Sequence, residues 1–229
     1  MLALKGCHGS TFSESAELCR KAIRLDPEFA AARALLSLLL AIGHLVGHVS
    51  ETDEALDEAD QALLLDSENS EVLGYTGCAL CDLGNRTRSI ELLNKAIERD
   101  PSNAQAWVAL GASLLTNRQP EEAVEKLAHG LRISPRDNRL GFWGATYALA
   151  LGFVGRVDDG IEQARIACRQ DDKLHNGRVV LAALLITQDR LEEAKSALAE
   201  VRRIQPNFSI LEARGLVGGR FAESLRAIW

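Results

Sequence analysis

Four prolines set the frame for this chain. Pro27 in "RLDPEF", Pro101 in "ERDPSN", Pro135 in "RISPRD" and Pro206 in "RIQPNF" each close an amphipathic stretch. Pro101 and Pro135 stand 34 residues apart; Ser67 in "LLDSEN" lies 34 before Pro101, and Asp172 in "CRQDDK" lies 34 before Pro206. Two intervals are longer, 40 residues from Pro27 to Ser67 and 37 from Pro135 to Asp172. A period of this length implies stacked supersecondary units, none of which buries its apolar face alone.

Each interval reads as two helices. The first carries apolar residues at helical spacing, as in Trp107, Leu110 and Leu114; a short polar turn follows ("DLGNRTR", "TNRQPEE", "FVGRVDD", "TQDRLEE"), and then a second helix such as "EEAVEKLAHGLRI". A proline lacks the backbone donor and biases its predecessor away from the α region, so it ends the second helix and resets the chain. Composition agrees: hydrophobic residues make up 47% of the 229 and aromatics only 5%, a mixture that favours close-packed helices over a sheet. The spacing of small residues points the same way. Gly77 and Gly111 sit inside first helices, where each costs about 1 kcal/mol against Ala. That cost is explained if a second helix passes close by. Ser37, Ala148 and Ala182 hold the equivalent places, and Ala55, Ala123 and Ala194 answer from the second helices.

These residues resemble the tetratricopeptide repeat. In the unit 102–135, Trp107, Leu110, Gly111, Leu114, Ala123, Leu127, Gly130 and Pro135 stand where that consensus has its aromatic, Leu, Gly, apolar, Ala, large apolar, small and Pro residues. The unit 68–101 keeps Gly77, Leu80, Leu93, Ala96 and Pro101, and the unit 173–206 keeps Leu181, Leu185, Ala194, Leu198 and Pro206. The resemblance implies an all-α, right-handed solenoid of antiparallel helix pairs. The expected layout is an N-terminal segment 1–10, an orphan second helix in 11–27, repeats at 28–67 (six extra residues), 68–101, 102–135, 136–172 (three extra residues) and 173–206, and a cap at 207–229. In that cap Phe221, Leu225 and Trp229 recur on one face. The order of "CRKAIRLDPEFAAARALL", the lengthened first turn, "LRISPRDNRLGFWGATYALALGFVGRVDDGIEQAR" and "RLEEAKSALAEVRRIQPNFSI" is similar to repeat regions that follow bacterial class III adenylate/guanylate cyclase domains or winged-helix regulators. That likeness implies a regulatory segment acting on a neighbouring domain of its own polypeptide.

In this family the first helices line a concave groove that holds a partner peptide or helix. The consensus offsets put Ala31, Ala34, Leu38 and Ile42 there, then Glu71, Gly74, Cys78, Cys81 and Asp82. Gln105, Val108, Ala112, Leu115 and Thr116 follow, then Phe142, Ala145, Leu149 and Phe153, and lastly Asn176, Val179, Ala183, Ile186 and Thr187. No Lys or Arg is among them, so the family's basic clamp for a C-terminal carboxylate is not expected. An apolar groove suits an amphipathic helix or an apolar strand. The competing reading makes about half of these positions plain inter-helix packing.

Other candidates carry less. Cys78 and Cys81 form C-x-x-C, but a structural metal needs about four ligands and a redox pair usually opens a helix, whereas this pair falls mid-helix. They read as buried or groove-lining thiols. His44 and His48 share a helical spacing beside Gly43 and Gly47 and read as surface residues; His129 reads as solvent-facing, and Trp107 and Trp143 as packing. The acidic run 51–60 reads as an amphipathic helix with a solvated face. No phosphate loop or Ser/His/Asp pattern appears, so no enzyme activity and no cofactor are expected. A net charge of −6 argues against nucleic acid as partner. The longest apolar stretch, Ala34 to Ile42, falls far below the roughly 20 residues that span a bilayer. An odd count of five cysteines fits free thiols and a cytoplasmic setting. The helix at 12–25 lacks a preceding partner, which predicts self-association through Phe12, Leu18 or Cys19, or cover by residues 1–10.

Overall fold

The computed structural model describes residues 9–45 and 52–229, and among these it holds twelve helices and no strand. The chain divides into two compact units at 134/135. The first contains α1 (Gly9–Leu25), α2 (Ala30–Leu45), α3 (Asp53–Leu65), α4 (Ser70–Asp82), α5 (Arg86–Arg99), α6 (Ala104–Thr116) and α7 (Pro120–Ile133). The second contains α8 (Leu140–Phe153), α9 (Val157–Gln170), α10 (Asn176–Ile186), α11 (Leu191–Ile204) and α12 (Ile210–Arg226). The fold class is an α-solenoid of helix pairs: α2 packs on α3, α4 on α5, α6 on α7, α8 on α9 and α10 on α11.

Short-range chemistry fixes the turns. α1, α5, α7 and α11 each stop two residues before Pro27, Pro101, Pro135 or Pro206. Aspartates after the second helices then accept backbone N–H groups two residues on: Asp26 from Glu28 (3.1 Å) and Asp100 from Ser102 (2.9 Å) in the proline turns, and Asp171 from Lys173 (3.0 Å) after α9. Asn69 and Asn103 cap the next helices by accepting from Glu71 (2.9 Å) and Ala106 (3.0 Å). Inside the four pairs from α4–α5 to α10–α11 the turn passes through left-handed backbone at one fixed place, at Gly84 (φ 83°), Arg118 (62°), Gly155 (81°) and Asp189 (54°).

The helix crossings depend on missing side-chain volume. A Cβ added at Gly111 would lie 2.5 Å from Leu127 Cγ and 3.1 Å from the Ala123 carbonyl oxygen; one at Gly77 would lie 2.7 Å from Leu93 Cγ. In the α8–α9 pair the roles swap: Ala148 is on the first helix, and the glycine is Gly160 on the second, where a Cβ would come within 2.9 Å of the Ala148 carbonyl. Where the pair includes a serine, its hydroxyl is satisfied across the crossing. Ser37 donates to the Ala55 carbonyl and Ser89 to the Gly77 carbonyl, both at 2.7 Å.

Several expectations change on contact with the structure. α1 presents Ala16 and Cys19 to a core with Leu36, Leu39, Leu40 and Ala55, with Ile23 packed beside them; Leu25 is 79% exposed and Leu18 66% exposed. Cys19 is therefore packed instead of open at this end. The side chain of Phe12, residues 1–8, Gly47 and His48 lie outside the described residues. The acidic face of α3 is partly paired: Glu54 takes Arg20 (2.9 Å), Glu58 takes Arg33 (2.7 Å) and Asp60 takes Arg88 (2.6 Å). His129 is half-buried and stacks on Trp107, ring centroids 4.3 Å apart, instead of facing solvent. The extra residues before α8 form a clamp in which Asp137 holds Arg139 (2.7 Å), whose guanidinium lies 4.3 Å from the centre of the buried Trp143 ring. At the C-terminal end Gly218 (φ 77°, ψ 164°) breaks α12 into two segments. Phe221 and Leu225 are buried, but Trp229 lies past the end of α12 and meets Phe208 (centroids 6.0 Å) and Arg202 instead of extending their face.

Candidate functional site

In the first unit α2, α4 and α6 pack side by side, whereas α3, α5 and α7 pack mainly onto these inner helices. The closely spaced layer forms the inner side of the stack, and its outward stripe is a surface that no second-layer helix covers. On α4 that stripe is Glu71, Tyr75, Cys78, Cys81 and Asp82, all half-buried except exposed Glu71. Ile42, Tyr75, Cys78 and Leu83 lie half-buried over a buried floor of Leu38, Ala41 and Ala79, which joins α2 to α4 as one apolar strip. On α6 Gln105, Ala112 and Leu115 are half-buried and Thr116 is exposed, while half-buried Trp107 meets His129 and Lys126 of α7.

The expected groove residues thus separate. Ala34 (0%), Leu38 (3%), Val108 (4%) and Leu149 (6%) are buried packing residues, as are Gly74, Ala145, Asn176 (8%), Val179 (0%) and Ala183. The consensus offsets took Gly74 where Tyr75 is the side chain on the stripe. Tyr75 sits four residues from Glu71 and three from Cys78, so helical spacing from those two would have found it. In the second unit the corresponding face is partly filled by its own chain. Phe153 is half-buried and meets Phe221 edge-on with centroids 5.0 Å apart, and a Cβ on Gly152 would approach the Phe221 ring to 3.3 Å. Phe142, 48% exposed, half-buried Ile186 and exposed Thr187 are what that face leaves open.

Polar groups are sparse on the first unit's face and are linked below it. Ser89 Oγ lies 3.0 Å from Ser113 Oγ, beneath the point where Cys81 Sγ lies 3.7 Å from Thr116 Oγ1. The Thr116 hydroxyl donates to the Ser113 carbonyl (2.8 Å), which leaves the Cys81 thiol as the donor to the Thr116 oxygen. Burial pushes the Cys81 thiol up, so it is a poor nucleophile. Asp82, the last residue of α4, sits in a low-dielectric recess while part of it reaches solvent; desolvation pushes its carboxyl up to about 7. The only Lys or Arg on α2, α4 or α6 is Arg33, and it is taken by Glu58 and the Pro27 carbonyl. Among the described residues no three His, Cys, Asp or Glu side chains gather as a metal site would, and no helix is long and apolar enough to cross a membrane.

Comparison with known proteins matches this geometry. The tetratricopeptide repeat family model matches residues 76–138, the α4-to-α7 region in which the consensus residues are densest. No curated protein sequence matches the chain. Among solved structures, YrrB, described as a TPR protein with an unusual peptide-binding site, shares 22% identity at a TM-score of 0.54, over 86% of this chain and 96% of that one. A thermophilic TPR protein of Thermus thermophilus shares 22% at a TM-score of 0.64, over 83% of this chain and 97% of that one. The Cut9–Hcn1 hetero-tetramer of the APC/C shares 18% at a TM-score of 0.74, over 90% of this chain and 39% of that one. The fold is an α-solenoid of helix pairs of the tetratricopeptide kind.

Proposed function

We propose that the first unit is a protein-interaction module that holds an apolar peptide or helix segment of a partner protein along α2, α4 and α6. The observation that carries this reading is the half-buried apolar strip of Ile42, Tyr75 and Cys78 that joins α2 to α4, with Ala112 and Leu115 half-buried on the adjacent α6 and no free Lys or Arg on these three helices. Apolar positions at i, i+3, i+4 and i+7 of a helix fit such a strip. YrrB supports the reading as a similarly folded protein with a peptide-binding site. The groups on the face bind and orient; they supply no nucleophile or metal chemistry. Free thiols at Cys19, Cys78, Cys81 and Cys168 suit a reducing, cytoplasmic setting.

The test is selection of a 12-residue display library on the whole chain, followed by calorimetric titration of the recovered peptides. Ala112→Arg places a charge on the half-buried stripe and should reduce their affinity at least about ten-fold while leaving the melting temperature near wild type. Equal affinity for this variant would remove the first-unit face as the binding surface.

A second reading rests on Leu18 and Leu25, exposed on α1. It makes this end a contact with a second copy of the chain. Sedimentation should show a dimer for wild type and a monomer for Leu18→Glu; a monomer in both cases excludes it. The likeness to repeat regions that follow cyclase and winged-helix domains supports a further version of the main reading, in which the bound segment belongs to the same polypeptide.

A further inference from the structure

In the second unit α9 and α11 both pack on α10, and the three helices enclose an open cleft of about 250 Å³. Its floor is apolar: Cys168 of α9, Leu181 and Leu185 of α10 and Ala197 of α11, each buried or half-buried. Half-buried Arg178 also lines the cleft, three residues before Leu181 and seven before Leu185, so the three side chains follow one line of α10. The other charges of the lining are already matched. Arg165 takes Glu193 (2.9 Å), which also takes Arg190 (2.8 Å), and Glu200 takes Arg203 (2.9 Å). Arg178 instead donates through one terminal nitrogen to the Leu174 carbonyl (3.0 Å), and among the described residues no carboxylate lies within ion-pair distance of it. Its charge acts inside the cleft: burial pushes the Cys168 thiol up, and Arg178 and then Arg169 pull against that shift. Arg178 also lies in the first turn of α10, where the N–H end of the helix favours an anion.

We infer that this cleft is a binding site for a small monocarboxylate on an unbranched apolar stem, whose carboxylate pairs with Arg178 and whose stem lies over Leu181 and Leu185. The site is separate from the peptide face of the first unit and does not depend on it. From Arg178 to Leu185 the helix rises about 10 Å, which an extended stem of about eight carbons matches. A single uncommitted guanidinium beside an apolar floor fits a monoanion held by one fork of hydrogen bonds; a phosphate is held by more donors than this cleft offers. The volume lies below the roughly 300–1,000 Å³ of drug-sized pockets, so the ligand is a fragment-sized molecule. The exposed surfaces of α9 and α11 carry ion pairs, Arg169 with Glu162 and Lys195 with Glu192, and they supply no apolar patch on which a protein partner would rest.

Methyl NMR titration of the whole isotope-labelled chain with sodium octanoate tests the site. Saturable shifts should appear at Leu181, Leu185 and Ala197, in the low millimolar range or tighter, the affinity that about ten non-hydrogen atoms can supply. 1-Octanol and octylamine keep the stem without the carboxylate, and butanoate keeps the carboxylate on a short stem; each should bind at least about ten-fold more weakly. Arg178→Gln, which removes the charge and keeps an amide N–H, should weaken octanoate at least about ten-fold and leave 1-octanol unchanged. If that variant does not fold, octanoate against octylamine on wild type still decides. Ala112→Arg, in the first unit, should leave octanoate binding unchanged. The proposal is overturned if octanoate gives no saturable shifts at these methyls, if 1-octanol or octylamine binds as well as octanoate, if folded Arg178→Gln binds octanoate as wild type does, or if Ala112→Arg abolishes the binding.

Discussion

Arg118 and Asp189 occupy left-handed backbone at the turn position that Gly84 and Gly155 fill in the other pairs. An L side chain there costs about 1–2 kcal/mol, partly offset by the entropy a glycine loses on folding. Arg118→Gly and Asp189→Gly should therefore each stabilise by roughly 0.5–1 kcal/mol in chemical denaturation, and Gly155→Val should destabilise. Asp82 makes a pH-dependent contribution of definite sign. Its folded carboxyl titrates near 7, above the ordinary 3.8, so folding takes up a proton between those values. That contribution is most favourable below about pH 4, is lost as pH rises through about 7, and is flat above. Asp82→Asn should remove this slope and raise the melting temperature at pH 8; identical pH–stability profiles for the two proteins would show that the carboxyl is not desolvated. The sequence made the small crossing residues legible because volume at a crossing is a local demand. The swap of glycine to Gly160 in the fourth pair was hidden, since only the paired geometry shows which helix gives way.

At the scale of elements, the α6–α7 pair sets the clearest test. A leucine at Gly111 would drive into Leu127 and into backbone at Ala123, which cannot move as a side-chain tip can. Gly111→Leu should cost at least about 1–3 kcal/mol in urea denaturation; an unchanged midpoint would mean that the helices do not cross there. Trp107 is a smaller lever than its size suggests. It is half-buried, its indole N–H donates to the Pro101 carbonyl (2.9 Å), and His129 and Lys126 cover its ring. Trp107→Ala should cost about 2 kcal/mol, below the roughly 3–5 typical of a wholly buried aromatic. A charge at Val108 tests stability instead of binding, because that side chain is 4% exposed; Val108→Asp should lower the melting temperature sharply where Ala112→Arg does not. Period and proline positions placed the helices because the helix stops are written in local chemistry. Which groove offsets stay open was not legible, because neighbouring helices bury Leu38, Val108, Leu149 and Val179 through contacts distant in sequence.

Across the molecule, each unit repeats one packing rule with a different outcome at its face. In the first, the inner layer of α2, α4 and α6 keeps an uncovered apolar stripe; in the second, Phe221 of α12 closes on Phe153 beside Gly152. The sequence marks Phe221 as apolar and periodic, but not that a bend at Gly218 turns the last segment toward α8. Peptide binding is therefore proposed for the first unit. The most direct test is an amide and methyl NMR titration of the isotope-labelled chain with a library-selected peptide. The largest shifts should fall at Ile42, Tyr75, Cys78, Ala112, Leu115 and Thr116. Shifts concentrated on the outer helices α3, α5 and α7, with these residues unmoved, would contradict it.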